Sequence, residues 1–239
     1  MLAADRDGSA CGGKVVAHSL EPVVQLPQYL PMYSSLEQAI QTIIAIGQRL
    51  DSRGLAAATS GNHSARLADG RIAITVSGRH KGRLNPKDVM VIDGQGRTLE
   101  DQRPSAETAL HTLLYQHYPH VGGVLHVHSV ASTTLTRHLS EAGEIVLQGY
   151  EMLKAFPGIS THETAVRIPL FENSQDIPAL AGSVARRLQE EPAAPAFLIR
   201  GHGAYGWGKD LDEAERVVEA LEHLLLCELE ALRLGGDKR

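Results

Sequence analysis

Val121-Gly122-Gly123-Val124-Leu125-His126-Val127-His128-Ser129 is the stretch on which the fold of this chain turns. A short apolar run after Pro119, ending in polar residues, reads as a buried β-strand over Val121–Val127 that feeds a helix. Residues two apart in a strand share a face, so His126 and His128 project the same way and can converge on one ion. With 12 histidines among 239 residues, a His-x-His pair arises by chance about 0.6 times, so the spacing alone decides little. Its place decides more: imidazoles ending an apolar strand are costly to bury without a partner.

Working outward, Ala196–Ile199 is a second buried strand and ends in Arg200-Gly201-His202-Gly203. A glycine-flanked histidine lets backbone approach an ion closely. Three neutral imidazoles with an open position form the donor set of a catalytic site, zinc by preference. His63, His80, His111 and His162 are expected to be surface or structural.

A helix is predicted over Leu36–Arg53, with Leu36, Ile40, Ile43, Ile44 and Gly47 on one face. Ser35 and Gln38 form its capping box and Gly54 its left-handed stop. Ser60-Gly61-Asn62-His63-Ser64 reads as a turn. Short strands are expected at Arg71–Val76 and Val89–Asp93, separated by the polar loop Ser77-Gly78-Arg79-His80-Lys81-Gly82. Pro104-Ser105 opens a helix that ends at Pro119. A strand at Ala165–Leu170 precedes a helix starting near Asp176, and a last helix starts near Asp212, capped with Glu215. Strands and helices interleave while several strand pairs are joined by short loops. The fold class is α/β: one domain over 34–239, with a mixed, largely antiparallel sheet flanked by helices. Residues 1–33 lack periodicity and read as a poorly ordered extension.

Charge and composition narrow the partners. Net charge is −5 with no basic stripe, which disfavours nucleic acid. No apolar run reaches the roughly 18 residues of a membrane span, and the N-terminus lacks the order of a signal peptide. Cys11 and Cys227 stand alone, as in a reducing, cytoplasmic setting. Three places favour an anion: the turn at Ser60-Gly61-Asn62, the loop from Ser77 to Gly82, and Ser105 at a helix N-terminus. Arg79 and Lys81 could equally be solvated. Glu107 complements its helix dipole. Glu151, in Gly149-Tyr150-Glu151-Met152, could act as a general base beside a metal or lie on the surface.

In order, Gly61-Asn62-His63-Ser64, Thr75-Val76-Ser77-Gly78, Pro104-Ser105-Ala106-Glu107-Thr108, His126-Val127-His128-Ser129, Gly149-Tyr150-Glu151-Met152, Glu172-Asn173-Ser174-Gln175-Asp176-Ile177 and Arg200-Gly201-His202-Gly203-Ala204-Tyr205-Gly206-Trp207-Gly208 resemble the class II aldolase/adducin family. The resemblance spans about residues 35 to 233. It implies one zinc ion per subunit on His126, His128 and His202. Glu107 would be a fourth ligand or an acid/base group, and Glu151 the acid/base of the family's dehydratases. A phosphate cradle would comprise Gly61, Asn62, Ser77, Gly78 and Ser105, in a homotetramer with sites near subunit boundaries. The implied reaction is dehydration of a methylthio-bearing keto sugar phosphate. The alternative is sugar-phosphate aldol cleavage or 4-epimerisation on the same scaffold; Glu151 and the Gly206-Trp207-Gly208 ending favour dehydration. An adducin-like interaction module would have lost the histidines, which are present. Val76 replaces the family's proline and His63 fills its variable position, so loop rigidity differs from the usual pattern.

Overall fold

The computed structural model describes residues 33–99, 101–139, 142–191 and 194–235. The expected extension lies outside them, save Tyr33. That residue is buried, bridges to Leu67 and accepts the Leu211 N–H at 3.3 Å, so it belongs with the domain.

Among the described residues, eight strands form one sheet: β1 (Asn62–Arg66), β2 (Ile72–Thr75), β3 (Val89–Ile92), β4 (Gly123–Val127), β5 (Glu144–Gln148), β6 (Ala165–Phe171), β7 (Ala196–Ile199) and β8 (Gly203–Gly208). Their order is β3-β2-β1-β4-β8-β7-β6-β5. Only β6 and β7 pair in parallel, so the sheet is mixed and largely antiparallel. Five helices cover it: α1 (Leu36–Ser52), α2 (Thr108–His117), α3 (Val130–His138), α4 (Ile177–Glu190) and α5 (Leu211–Arg233).

Strand alternation splits the core into two layers. Ala65, Leu125, Val127, Leu198 and Ala204 face Ile43, Ile46, Val217 and Leu221 of α1 and α5. Ile74, Val124, Phe197, Tyr205 and Trp207 face Leu110, Leu114, Leu180 and Val184 of α2 and α4. Fully burying each Val, Leu, Ile or Phe among them stabilises the fold by about 1.5–3 kcal/mol, so these layers fix the sheet on which the histidines stand.

Half of the expected α1 capping box forms: Ser35 accepts the Gln38 N–H at 3.1 Å, but the Gln38 side chain accepts from Ser34 Oγ instead of the Ser35 N–H; Gly54 has φ +74° as expected. The α5 cap is shifted, because Asp210 rather than Asp212 accepts an N–H, that of Glu213 at 2.6 Å. Helix α2 begins at Thr108, later than Pro104 implied, leaving 104–107 as a turn at the site. Three strands had no sequence signal. β1 is polar and read as a turn, β5 is short and alternating, and β8 is glycine-rich. In β8, Gly206 and Gly208 lie under α5: a Cβ would come within 2.7 Å of Val218 Cγ2 or of the Ala214 nitrogen. Trp207 stacks on Tyr118 with centroids 5.6 Å apart. The Gly-Trp-Gly ending therefore packs against α5 and Tyr118.

Candidate metal centre

At the centre of the sheet, β4 pairs with β1 and β8, placing Asn62 opposite His126 and His126 opposite Tyr205. The even-numbered residues of β4 point towards α2, as the two-residue period requires. The His126 ring lies flat on Tyr205, centroids 4.1 Å apart at 14°, and Phe197 stacks beneath Tyr205 at 4.6 Å. This aromatic floor sets the ring plane. The β7–β8 turn carries His202, held by a hydrogen bond from its N–H to the Ile199 carbonyl at 3.1 Å. Gly203 must be glycine, since a Cβ would collide with the Val127 carbonyl oxygen.

The three imidazoles meet at Nε2. His128 Nε2 lies 2.8 Å from His126 Nε2 and 3.1 Å from His202 Nε2. Glu107 Oε1 lies 3.1 Å from His202 Nε2 and 3.4 Å from His126 Nε2. One donor atom from each of these four residues falls within 4.8 Å of all the others. A cation fits this arrangement on its hydrogen bonds. His126 Nδ1 faces the Ala204 carbonyl at 3.0 Å, so it donates there and its Nε2 keeps a lone pair aimed at the cluster. His202 Nδ1 likewise faces Asn173 Oδ1 at 3.3 Å. Lone pairs and a carboxylate gathered this closely repel unless a positive charge lies among them. Burial, then the neighbouring imidazoles, push His128 down to about 3, which keeps it neutral as ligation demands. Burial alone would raise Glu107, but the His126 and His202 imidazoles beside it outweigh burial and hold the carboxyl well below the usual carboxylate range.

A cavity of about 700 Å³ opens onto the cluster, with Ser77, Arg79, Arg103, Ser105, Glu107 and His202 on its walls. Ser77 and Ser105 thus stand where an anion was expected. Gly61 has φ +74°, and a Cβ there would lie 2.5 Å from the His126 carbonyl, so only glycine brings this turn against β4. Gly78 has φ +73° at the turn after Ser77. The Asn62 side chain is engaged elsewhere: its Nδ2 donates to Glu107 Oε2 at 2.8 Å and its Oδ1 meets His111 Nε2.

Several residues lie elsewhere than expected. Of the histidines expected to be surface or structural, His63 and His111 are fully buried and so structural. His63 points away from the cavity, with burial first and Lys81 second keeping its ring neutral. Lys81 is not solvated. It is 1% exposed, and its ammonium donates to the Thr59 carbonyl at 2.9 Å and the Arg79 carbonyl at 2.5 Å, tying together the two loops that carry Gly61 and Ser77. Burial lowers it to about 8. Arg79 remains at the surface, 3.2 Å from Asp88. Glu151 does not line the cavity. It is exposed at the start of a 3-10 turn, Glu151–Ala155, paired with Lys154 and lying 3.4 Å from His162. Asn173 and the Ala204 carbonyl gave no signal, because a ring partner depends on strand register.

Fold and site together define a class. Residues 41–229 match the model of the class II aldolase and adducin N-terminal domain, and the chain belongs to that family. Among individual relatives, it is 51% identical over 206 residues to the methylthioribulose-1-phosphate dehydratase of Methylococcus capsulatus, covering 86% of this chain and 98% of the relative. The dehydratase of the same name from Pseudomonas paraeruginosa is 51% identical over 205 residues, covering 85% and 100%. The L-fuculose-1-phosphate aldolase structure from Thermus thermophilus superposes with TM-score 0.67 at 25% identity, covering 83% of this chain and 98% of that one.

Proposed function

We propose that this chain is a zinc-dependent hydro-lyase that converts 5-methylthioribulose 1-phosphate to 2,3-diketo-5-methylthiopentyl 1-phosphate, a step of methionine salvage. The observation that carries it is the convergence of three imidazole Nε2 atoms and Glu107 beside a cavity walled by Ser77, Arg79, Arg103 and Ser105. The substrate comes from the names of relatives about half identical over most of the chain.

His126, His128 and His202 would hold the ion, with Glu107 beside it as fourth ligand or helper. Zinc bound there supplies Lewis acidity towards the substrate's carbonyl and hydroxyl oxygens, which acidifies the neighbouring C–H. Zinc is preferred because neutral imidazoles leave its charge intact, although other divalent ions suit the same donors. The cradle of Gly61, Asn62, Ser77, Gly78 and Ser105 holds the phosphate, Asn62 through its backbone in view of its side-chain bonds. Anchoring the phosphate away from the reacting carbons directs binding energy to orientation.

Glu151 removes the C3 proton. Returning a proton to the C4 hydroxyl lets it leave as water, and the resulting enol ketonises to the diketone. Glu107 suits this role less well, because Oε2 accepts from Asn62, Oε1 faces the imidazole cluster, and the neighbouring rings depress its basicity. Glu151 is exposed and outside the cavity of the single chain, so its role requires either assembly of the proposed homotetramer, with sites near subunit boundaries, or a shift of the 151–155 turn. No helix among the described residues is long and apolar enough to cross a membrane, and a cytoplasmic setting is proposed from the isolated cysteines.

The second reading, sugar-phosphate aldolase or 4-epimerase, draws on the superposition with the fuculose-phosphate enzyme. Incubation with 5-methylthioribulose 1-phosphate and, separately, L-fuculose 1-phosphate distinguishes them by mass spectrometry. The expected result is loss of one water from the first and no reaction of the second. Three-carbon fragments, or turnover of the second alone, would refute the dehydratase.

A further inference from the structure

Behind Glu107 the structure holds a row of hydrogen-bonding side chains that the proposed reaction does not use. Asn62 Nδ2 donates to Glu107 Oε2, and Asn62 Oδ1 meets His111 Nε2. His111 Nδ1 lies 2.7 Å from Ser64 Oγ, and Ser64 Oγ lies 2.9 Å from the Tyr115 hydroxyl. Asn62, Ser64, His111 and Tyr115 are all buried, spread over β1 and α2. Asn62 and Ser64 share a face of β1, while His111 and Tyr115 stand one turn apart on α2.

Hydrogen accounting gives the row a direction. An ionised carboxylate only accepts, so the Asn62 amide must turn its NH₂ to Glu107 and its oxygen to His111. That oxygen needs a donor, so the His111 proton sits on Nε2. The Nδ1 lone pair then takes the Ser64 hydroxyl proton, and Ser64 in turn accepts from Tyr115. We infer that Tyr115, Ser64, His111 and Asn62 form a one-way hydrogen-bond chain, every bond donating towards Glu107, in which His111 and Tyr115 are positioning residues that fix the carboxylate against the metal centre. Burial pushes His111 down to about 3, which suits a neutral ring of one tautomer. Each donor in such a row polarises the next, so the chain stabilises the anionic carboxylate and leaves Oε1 free for the cluster. It also explains why Asn62 gives its side chain to Glu107.

The inference rests on the proposed role of Glu107, but the decisive readout needs no substrate. In zinc-loaded full-length protein labelled with ¹⁵N-histidine, long-range ¹H–¹⁵N correlation at pH 7 reads each ring's tautomer. We expect a neutral Nε2–H ring whose Nδ1 signal moves in Ser64→Ala and, less, in Tyr115→Phe; His111→Gln removes it. Should His111→Gln fail to fold, the other two variants identify the ring. An Nδ1–H tautomer, a doubly protonated ring, or a signal unmoved by Ser64→Ala would overturn the chain. Positioning further requires that Ser64→Ala and Tyr115→Phe lower kcat by about 3–10-fold, with KM and bound zinc unchanged. A fall in Tm with unaltered kcat would overturn that role. Should the expected tautomer appear in a protein that does not dehydrate the substrate, the proposed function alone fails.

Discussion

Glu107 and Glu151 bear the same functional group in opposite settings. Glu107 stands at the centre of the fold with both oxygens engaged, by Asn62 on one side and His126 and His202 on the other. Glu151 stands on an exposed turn, with Lys154 and His162 beside its carboxylate. Their difference separates two tasks. A carboxylate locked by hydrogen bonds is well suited to orient or ligate and poorly suited to exchange protons. One on a surface turn can exchange protons but needs something to bring it to the substrate.

Neutralising each glutamate in turn separates the two tasks. Glu151→Gln should lower kcat by about 10²–10⁴-fold while leaving bound metal intact. Glu107→Gln should weaken metal retention, seen in chelator competition, as well as turnover. Full turnover by Glu151→Gln would pass the acid/base role to Glu107. A smaller effect is expected at the cradle. Lys81→Met removes the cation joining the Thr59 and Arg79 carbonyls, so KM for substrate and the inhibition constant of inorganic phosphate should both rise about tenfold, tied to the lost donors. An unchanged phosphate constant would mean that Lys81 supports only folding.

A third glutamate, remote from the site, extends the contrast to stability. Glu222 of α5 is 7% exposed, accepts a short hydrogen bond from Ser129, and is raised by burial to about 7. An acid whose folded pKa lies above its unfolded value stabilises the fold while protonated. That contribution is complete below about pH 4.5 and is lost as pH rises through about 7. Glu222→Gln should therefore gain stability relative to the parent at pH 8, on the order of 2–3 kcal/mol, and little at pH 4. Urea melts at the two pH values check this; equal differences would contradict it.

Apolar pattern made much of the architecture legible. Val121–Val127 and Ala196–Ile199 announced their strands, Ser35 and Gly54 the ends of α1, and the mixed sheet followed from short loops. Polar or glycine-rich strands stayed hidden: β1 is polar at four of five positions, two of which, Asn62 and Ser64, lie behind the site, and β8 is glycine-rich because α5 lies against it. Within the site, the three histidines and Glu107 were legible from motif order, and the structure brings their donor atoms together. For His63, His111 and Lys81 the sequence left surface and interior open, and all three are buried. Nothing in a single sequence tells that a polar side chain is buried when its partners come from other elements. Glu107 and Asn62 lie 45 residues apart, and Lys81 and Thr59 lie 22 apart.

The convergence of three imidazoles is the central claim, and metal analysis of the purified chain beside His128→Ala tests it most directly. The expected result is one zinc per parent chain and none, with no turnover, in the variant. Metal-free parent protein with full activity, or a His128→Ala variant that keeps its zinc, would contradict it.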